Sequence, residues 1–173
     1  MADRRALSRP QNHLARRAVI VGAGLALLVG PATAACPPER VLFVCPAGSV
    51  KSAIAREALK RRAADLGLAL SVSSRGVDPE DHVSPELAAN LKRDGLNPAA
   101  EPLRRLAQAD VAQADVIIAF DAASDAPLLR GARAWKTPSW NGDYAAAKAD
   151  LDARLAALLV ELRGRAGRPC DAS

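Results

Sequence analysis

Short apolar runs alternate along the chain with segments of helical periodicity. Residues 41–44 are wholly apolar and rich in valine and phenylalanine, as expected of a strand that is covered on both faces. Similar patterns predict three more strands, over residues 68–74, 115–120 and 132–136.

Helical spacing of apolar residues begins at Ser52, which we expect to cap the first helix. Ser84 and Pro85 are a cap and first-turn pair that opens a second helix, which ends at Gly95. Residues 102–113 are predicted as a third helix. A long amphipathic helix is predicted over residues 143–163, with Leu151, Leu155, Leu158, Leu159 and Leu162 on one face.

Strands separated by helices are typical of an α/β domain. We therefore predict a small parallel four-stranded sheet with helices on both faces, in one domain over residues 35–173. Chemistry in such sheets collects at the carboxyl ends of the strands, and Cys45 ends the first strand.

The first 34 residues differ from the rest. Residues 1–17 are polar and end in Arg16-Arg17, residues 18–30 are apolar, and residues 32–34 are small. This order predicts a signal peptide over residues 1–34 that resembles a twin-arginine signal, and hence a periplasmic or secreted protein without a stable membrane span after cleavage. An uncleaved anchor or a lipoprotein fits less well, because Gly and Pro interrupt the apolar stretch and the aliphatic residue of a lipoprotein box is missing.

Charge argues against a nucleic-acid partner. The net charge is +5, but residues 1–34 contain five Arg and one Asp, so the remaining chain is close to neutral. Aromatic residues make up only 3% of the sequence, too few for base-stacking surfaces.

Three cysteines, Cys36, Cys45 and Cys170, follow the signal peptide. An oxidising compartment favours pairing, and Cys36 and Cys170 flank the predicted domain near its two ends. We expect these two to form a disulfide and Cys45 to remain a free thiol.

Cys45 lies between a strand and a small-residue loop that leads into a helix. The loop amides and the helix N terminus present N–H groups to one point, which favours anion binding and a nucleophilic thiolate. Lys51 adds a cation beside them. The alternative is a small buried cysteine at a tight turn.

The segment over residues 41–59 resembles the opening of low-molecular-weight protein-tyrosine phosphatases and the related thioredoxin-coupled arsenate reductases, whose signature is a strand followed by Cys, five residues, Arg and Ser. The resemblance continues through residues 73–76, Gly95-Leu96 and residues 114–121. It implies Cys45 as the nucleophile that attacks phosphate and Ser52 as the stabiliser of its thiolate. It also implies a phosphate-binding loop made of Pro46, Ala47, Gly48, Ser49, Val50 and Lys51.

The chain departs from this family at three places. Lys51 replaces the arginine that grips phosphate with a planar fork, and Ala47-Gly48 replaces Gly-Asn. Ser139 stands where the family has its general acid, an aspartate before proline, and a serine cannot donate a proton near neutral pH. Asp143 is the candidate substitute acid, although it also fits the cap of the last helix.

The resemblance implies a phosphomonoester hydrolase that forms a cysteinyl-phosphate, needs no cofactor or metal, and works as a monomer on a phosphate ester, with a phosphoprotein as one candidate. The alternative is an inactive module of the same fold that binds phosphate, another oxyanion or a phosphopeptide. A reductase is disfavoured, because no cysteine lies between Cys45 and Cys170 to relay oxidation. His82 lies in a polar loop and is expected to be solvated.

Overall fold

The computed structural model describes residues 37–166. Its four strands form one sheet in the order β2-β1-β3-β4, and every neighbouring pair is parallel, as predicted. The strands are β1 (Glu39–Cys45), β2 (Leu70–Gly76), β3 (Val116–Phe120) and β4 (Arg133–Trp135). The signal peptide over residues 1–34 and the cysteines Cys36 and Cys170 lie outside the described residues.

Both faces of β1 are buried, which explains its uninterrupted apolar sequence. Val41, Phe43 and Cys45 face one hydrophobic cluster, whereas Leu42 and Val44 face a second cluster on the opposite side. Successive side chains of a strand point to opposite faces, so a strand between two layers needs apolar residues at every position.

Four α-helices cover the sheet, with three short 3₁₀ turns between them. The α-helices are α1 (Lys51–Asp65), α2 (Pro85–Arg93), α3 (Gln108–Gln113) and α4 (Tyr144–Ala166); the 3₁₀ turns are Pro98–Ala100, Asp121–Asp125 and Pro127–Leu129. Ser84 caps α2, because its Oγ accepts a 3.1 Å hydrogen bond from Leu87 N. The five leucines predicted on one face of α4 are all buried. No helix within residues 37–166 is long and apolar enough to cross a membrane.

Two helix predictions were wrong at their beginnings. The segment 102–107 is extended, because Arg104 O accepts from Gly76 N at 2.9 Å and Leu106 N donates to Gly76 O at 2.8 Å, which pairs the segment with the end of β2. Only residues 108–113 of the predicted third helix are helical. Helix α1 begins at Lys51, and Ser52 lies inside it without capping it.

The strand order places β1 between β2 and β3. The chain therefore leaves β1 toward one sheet edge and later returns to its other side, which makes the carboxyl end of β1 the topological switch point. Ligands of open α/β sheets bind in the crevice at this point. Cys45 is the last residue of β1.

Candidate active site

Cys45 is buried at the bottom of the loop that joins β1 to α1, with 3% of its surface exposed. Gly48 N donates a 3.1 Å hydrogen bond to Sγ, and Ser52 Oγ lies 3.1 Å from the same sulfur. Gly48 N is a donor to this sulfur, and the Ser52 hydroxyl, which can donate or accept in its contact, becomes a second donor when the sulfur carries the negative charge of a thiolate.

The backbone of the loop is turned so that its N–H groups face inward. Asp78 N donates to Pro46 O at 2.9 Å and Glu80 N donates to Ala47 O at 3.0 Å, so these two carbonyls point outward, toward residues 78–80. In a trans peptide the N–H points opposite to the C=O, so the amides of Ala47 and Gly48 point inward. Pro46 has no N–H, so it belongs to the loop without contributing a donor to it.

Gly48 and the end of β2 approach more closely than any side chain would allow. Gly48 has φ +82°, and a Cβ placed on it would lie 2.8 Å from Gly76 N. A Cβ on Gly76 would in turn lie 2.8 Å from Ala47 O. Glycine is therefore required at both positions if the loop is to keep this shape.

The remainder of the loop is fixed by side chains. Ser49 is buried and its Oγ accepts a 3.0 Å hydrogen bond from His82 N. Ser52 is fully buried, and its Oγ also lies 3.3 Å from Gly48 O and 3.3 Å from Arg75 O. The first amides of α1, which include those of Lys51 and Ser52, have no intrahelical acceptors and remain available to an anion.

Lys51 does not stand free beside the loop. Its Nζ forms an ion pair with the carboxylate of Asp121 and donates a 2.8 Å hydrogen bond to Thr137 O. Asp121 follows β3, and its Oδ1 also accepts a 3.1 Å hydrogen bond from Thr137 N. The predicted site residues did not include Asp121, whose contact with Lys51 depends on β1 and β3 being neighbours in the sheet.

The loop between β4 and α4 presents no carboxylate at the position of the family's acid. Ser139 is exposed, and its Oγ accepts from Gly142 N at 3.2 Å. Asp143, the candidate acid, uses Oδ1 to accept a 2.9 Å hydrogen bond from Ala146 N, which makes it the cap of α4. The structure thus gives Asp143 a structural partner, as its position before the helix had suggested.

The aromatic residues near this loop belong to the hydrophobic core. Trp135 and Trp140 are buried, and Trp140 packs edge-on against Tyr144 at 5.5 Å between ring centroids. The Tyr144 hydroxyl donates a 2.7 Å hydrogen bond to Asp94. Burial and this hydrogen bond raise the pKa of Tyr144 well above its ordinary value, so the hydroxyl stays protonated and ties α4 to the end of α2.

His82 is about half exposed and its Nε2 lies 3.0 Å from Glu80. Within residues 37–166, no three His, Cys, Asp or Glu side chains are grouped as a metal site requires.

Comparisons with known proteins agree with this architecture. The family model for low molecular weight phosphotyrosine protein phosphatases matches residues 40–152. YfkJ from Bacillus subtilis superposes with a TM-score of 0.62 at 20% identity, covering 75% of this chain and 98% of YfkJ. An arsenate reductase in its phosphate-binding state gives 0.60 at 18% identity, covering 72% and 98% of the two chains. The arginine phosphatase YwlE from Geobacillus stearothermophilus gives 0.59 at 20% identity, covering 74% and 95%.

A search of curated proteins found no match. The structural neighbours establish the fold, and the family model accounts for most of the described residues, including the loop after Cys45. The chain belongs to the low molecular weight phosphotyrosine protein phosphatase family.

Proposed function

We propose that this protein is an exported phosphomonoester hydrolase that acts through a cysteinyl-phosphate at Cys45. The observation that carries the proposal is the pair of 3.1 Å contacts to Sγ, from Gly48 N and Ser52 Oγ, inside a loop whose amides face inward. A thiolate held beside several N–H donors is the arrangement that phosphoryl transfer to sulfur requires.

The reaction has two steps. The Cys45 thiolate attacks phosphorus, an S–P bond forms, and the P–O bond to the leaving group breaks. The departing oxygen takes its proton from solvent, because Ser139 is not an acid and Asp143 caps α4. Water then attacks phosphorus and the S–P bond breaks, which regenerates the Cys45 thiolate. Phosphate is released, and the proton of the water passes to solvent.

Inefficient proton donation limits the range of substrates. General acid catalysis contributes about 10²- to 10⁴-fold to a rate, so its loss slows the release of alkoxides most. In an aryl phosphate whose phenol is acidic, the phenolate leaves without a proton from a general acid. We therefore expect slow turnover that favours activated leaving groups.

The alternative function is a module that binds phosphate or a phosphopeptide without hydrolysing it. The ion pair between Lys51 and Asp121 favours it, because the cation that replaces the family's arginine is already partly neutralised. A phosphoprotein would then be a partner rather than a substrate.

Export is the second part of the proposal. The polar n-region, the apolar stretch over residues 18–30 and the small residues before Ala35 support a mature chain that begins at Ala35 and acts as a monomer in the periplasm or outside the cell. The intact mass of protein recovered from cells tests this, and a full-length cytoplasmic product would contradict it.

The catalytic proposal is tested with the purified mature domain, residues 35–173, and p-nitrophenyl phosphate. Wild-type protein should release p-nitrophenol, and Cys45→Ser should reduce this to background. Acid quenching during turnover should trap phosphate on the Cys45 peptide. If wild-type and Cys45→Ser proteins are equally inactive while phosphate still protects Cys45 from iodoacetamide, the binding module is the correct function.

A further inference from the structure

The Lys51 ammonium group already donates hydrogen bonds to acceptors within the protein. An ammonium group has three donors, and the structure directs two of them to the carboxylate of Asp121 and to Thr137 O at 2.8 Å. The Lys51 side chain is 17% exposed and that of Asp121 33%, so the pair lies partly shielded from water. An oxyanion that enters the loop and recruits Lys51 must compete with this carboxylate.

Asp121 is itself held in place from several directions. Its Oδ1 accepts from Thr137 N at 3.1 Å, and its carbonyl oxygen accepts from Ser124 Oγ at 2.7 Å. Its φ is +51°, and within residues 37–166 it is the one residue other than glycine with a positive φ. Aspartate adopts this left-handed backbone more readily than most residues, and the two hydrogen bonds fix it here, so the carboxylate is positioned against Lys51 before any ligand arrives.

We infer that Asp121 is a positioning residue that holds Lys51 away from the oxyanion and lowers the affinity of the site for phosphate. The inference rests on the proposed function, because it concerns the same phosphate-binding loop. A bound phosphate is then held mainly by backbone amides, and Lys51 joins it only when the ion pair opens. The weak hold on phosphate favours release of the product.

Asp121→Asn is the informative substitution. Asparagine tolerates the left-handed backbone as well as aspartate does, and its Oδ1 can still accept from Thr137 N. The substitution removes the negative charge and puts an amide NH₂, which cannot accept a hydrogen bond, in place of the oxygen that accepts from Lys51 Nζ. Asp125→Asn is the matched control, because Asp125 is exposed on the same 3₁₀ turn and loses the same charge without touching Lys51.

Two measurements separate release of Lys51 from a general change of charge. The dissociation constant of inorganic phosphate is measured by calorimetry on wild type and both variants. The acetylation rate of the Lys51 amine is followed by mass spectrometry with and without phosphate, relative to Lys92, an exposed lysine of α2. Circular dichroism verifies that both variants are folded.

Asp121→Asn should bind phosphate about tenfold more tightly, the gain expected from one added charge-assisted hydrogen bond, whereas Asp125→Asn should change affinity less than about twofold. Lys51 should be acetylated faster in Asp121→Asn, and phosphate should slow that reaction in this variant but not in wild type.

Three results would overturn the inference. Equal tightening by both variants would mean that only net charge matters. Phosphate protection of Lys51 in wild type would mean that the lysine already binds the ligand. Faster acetylation of Lys51 in Asp121→Asn without phosphate binding by any variant would establish the ion pair, but it would refute both the competition and the proposed function.

Discussion

Gly48→Ala tests the closest approach in the site. The substitution places a Cβ 2.8 Å from Gly76 N and 2.9 Å from Gly76 Cα, and it imposes φ +82° on a residue with a side chain. Both neighbouring atoms belong to backbone at the end of β2, which is fixed by the sheet. The loop must therefore move.

The size of the effect follows from two contributions. The left-handed backbone costs alanine about 1–2 kcal/mol. Displacing the loop weakens the hydrogen bonds from Asp78 N to Pro46 O and from Glu80 N to Ala47 O, at about 1 kcal/mol each. The free energy of unfolding should fall by about 3–4 kcal/mol, which lowers the melting temperature by roughly 10 °C for a domain of this size.

Two other glycines separate the contributions. Gly67, at the end of α1, has φ +63°, and a Cβ added to it would meet nothing within 4 Å. Gly67→Ala should therefore lose only the free energy that the left-handed backbone costs an alanine. Gly76→Ala carries the contact alone, since its Cβ would lie 2.8 Å from Ala47 O.

Thermal unfolding and protection of Cys45 from iodoacetamide by phosphate are the assays. Gly48→Ala and Gly76→Ala should both lose protection, whereas Gly67→Ala should keep it and lose only about 1–2 kcal/mol of stability. If Gly48→Ala is no less stable than Gly67→Ala and phosphate still protects its thiol, the close approach to β2 does not shape the site.

Three further predictions concern the acid, the pH dependence and the disulfide. Ser139→Asp should raise turnover of an alkyl phosphate by about 10²-fold but change that of p-nitrophenyl phosphate little, because only poor leaving groups need an acid; steady-state rates that rise equally would contradict this. Burial raises the pKa of Asp110, but the stronger combined effect of hydrogen bonds from Arg75 and the backbone and of nearby arginines lowers it overall. The ionised Asp110 carboxylate therefore stabilises the folded protein above about pH 4, and this stabilisation is lost as the pH falls through the lowered pKa. In urea unfolding between pH 5 and 3, the free energy of unfolding of Asp110→Asn should decline less steeply than that of wild type. Alkylation before reduction, followed by peptide mapping, should find Cys36 and Cys170 joined and unlabelled, and label on either would refute the disulfide.

Local patterns were enough to predict the sheet and the place of the cysteine. The apolar run over residues 41–44 reports burial on both faces directly, and the change of periodicity near Ser52 marks the start of a helix. The caps Ser84 and Asp143 were visible because capping depends on residues within one helical turn.

Contacts between distant segments could not be predicted in the same way. Residues 102–107 have a helical composition but pair with Gly76, because the end of β2 offers backbone groups that need partners. Lys51 and Asp121 are 70 residues apart, and their pairing depends on β1 and β3 being neighbours. Neither the pairing with Gly76 nor the ion pair can be predicted from the spacing of residues along the sequence.

The hydrogen bonds that hold the loop have a consequence for protein engineering. The carbonyls of Cys45, Pro46 and Ala47 accept from the backbone N–H groups of Val77, Asp78 and Glu80. A segment some thirty residues away in the sequence therefore fixes the shape of the loop. Residues 45–52 grafted onto another scaffold would lack these hydrogen bonds and would relax toward an ordinary strand-to-helix turn. A transplantable version must carry residues 39–82 as one unit, together with a neighbouring strand to replace β3.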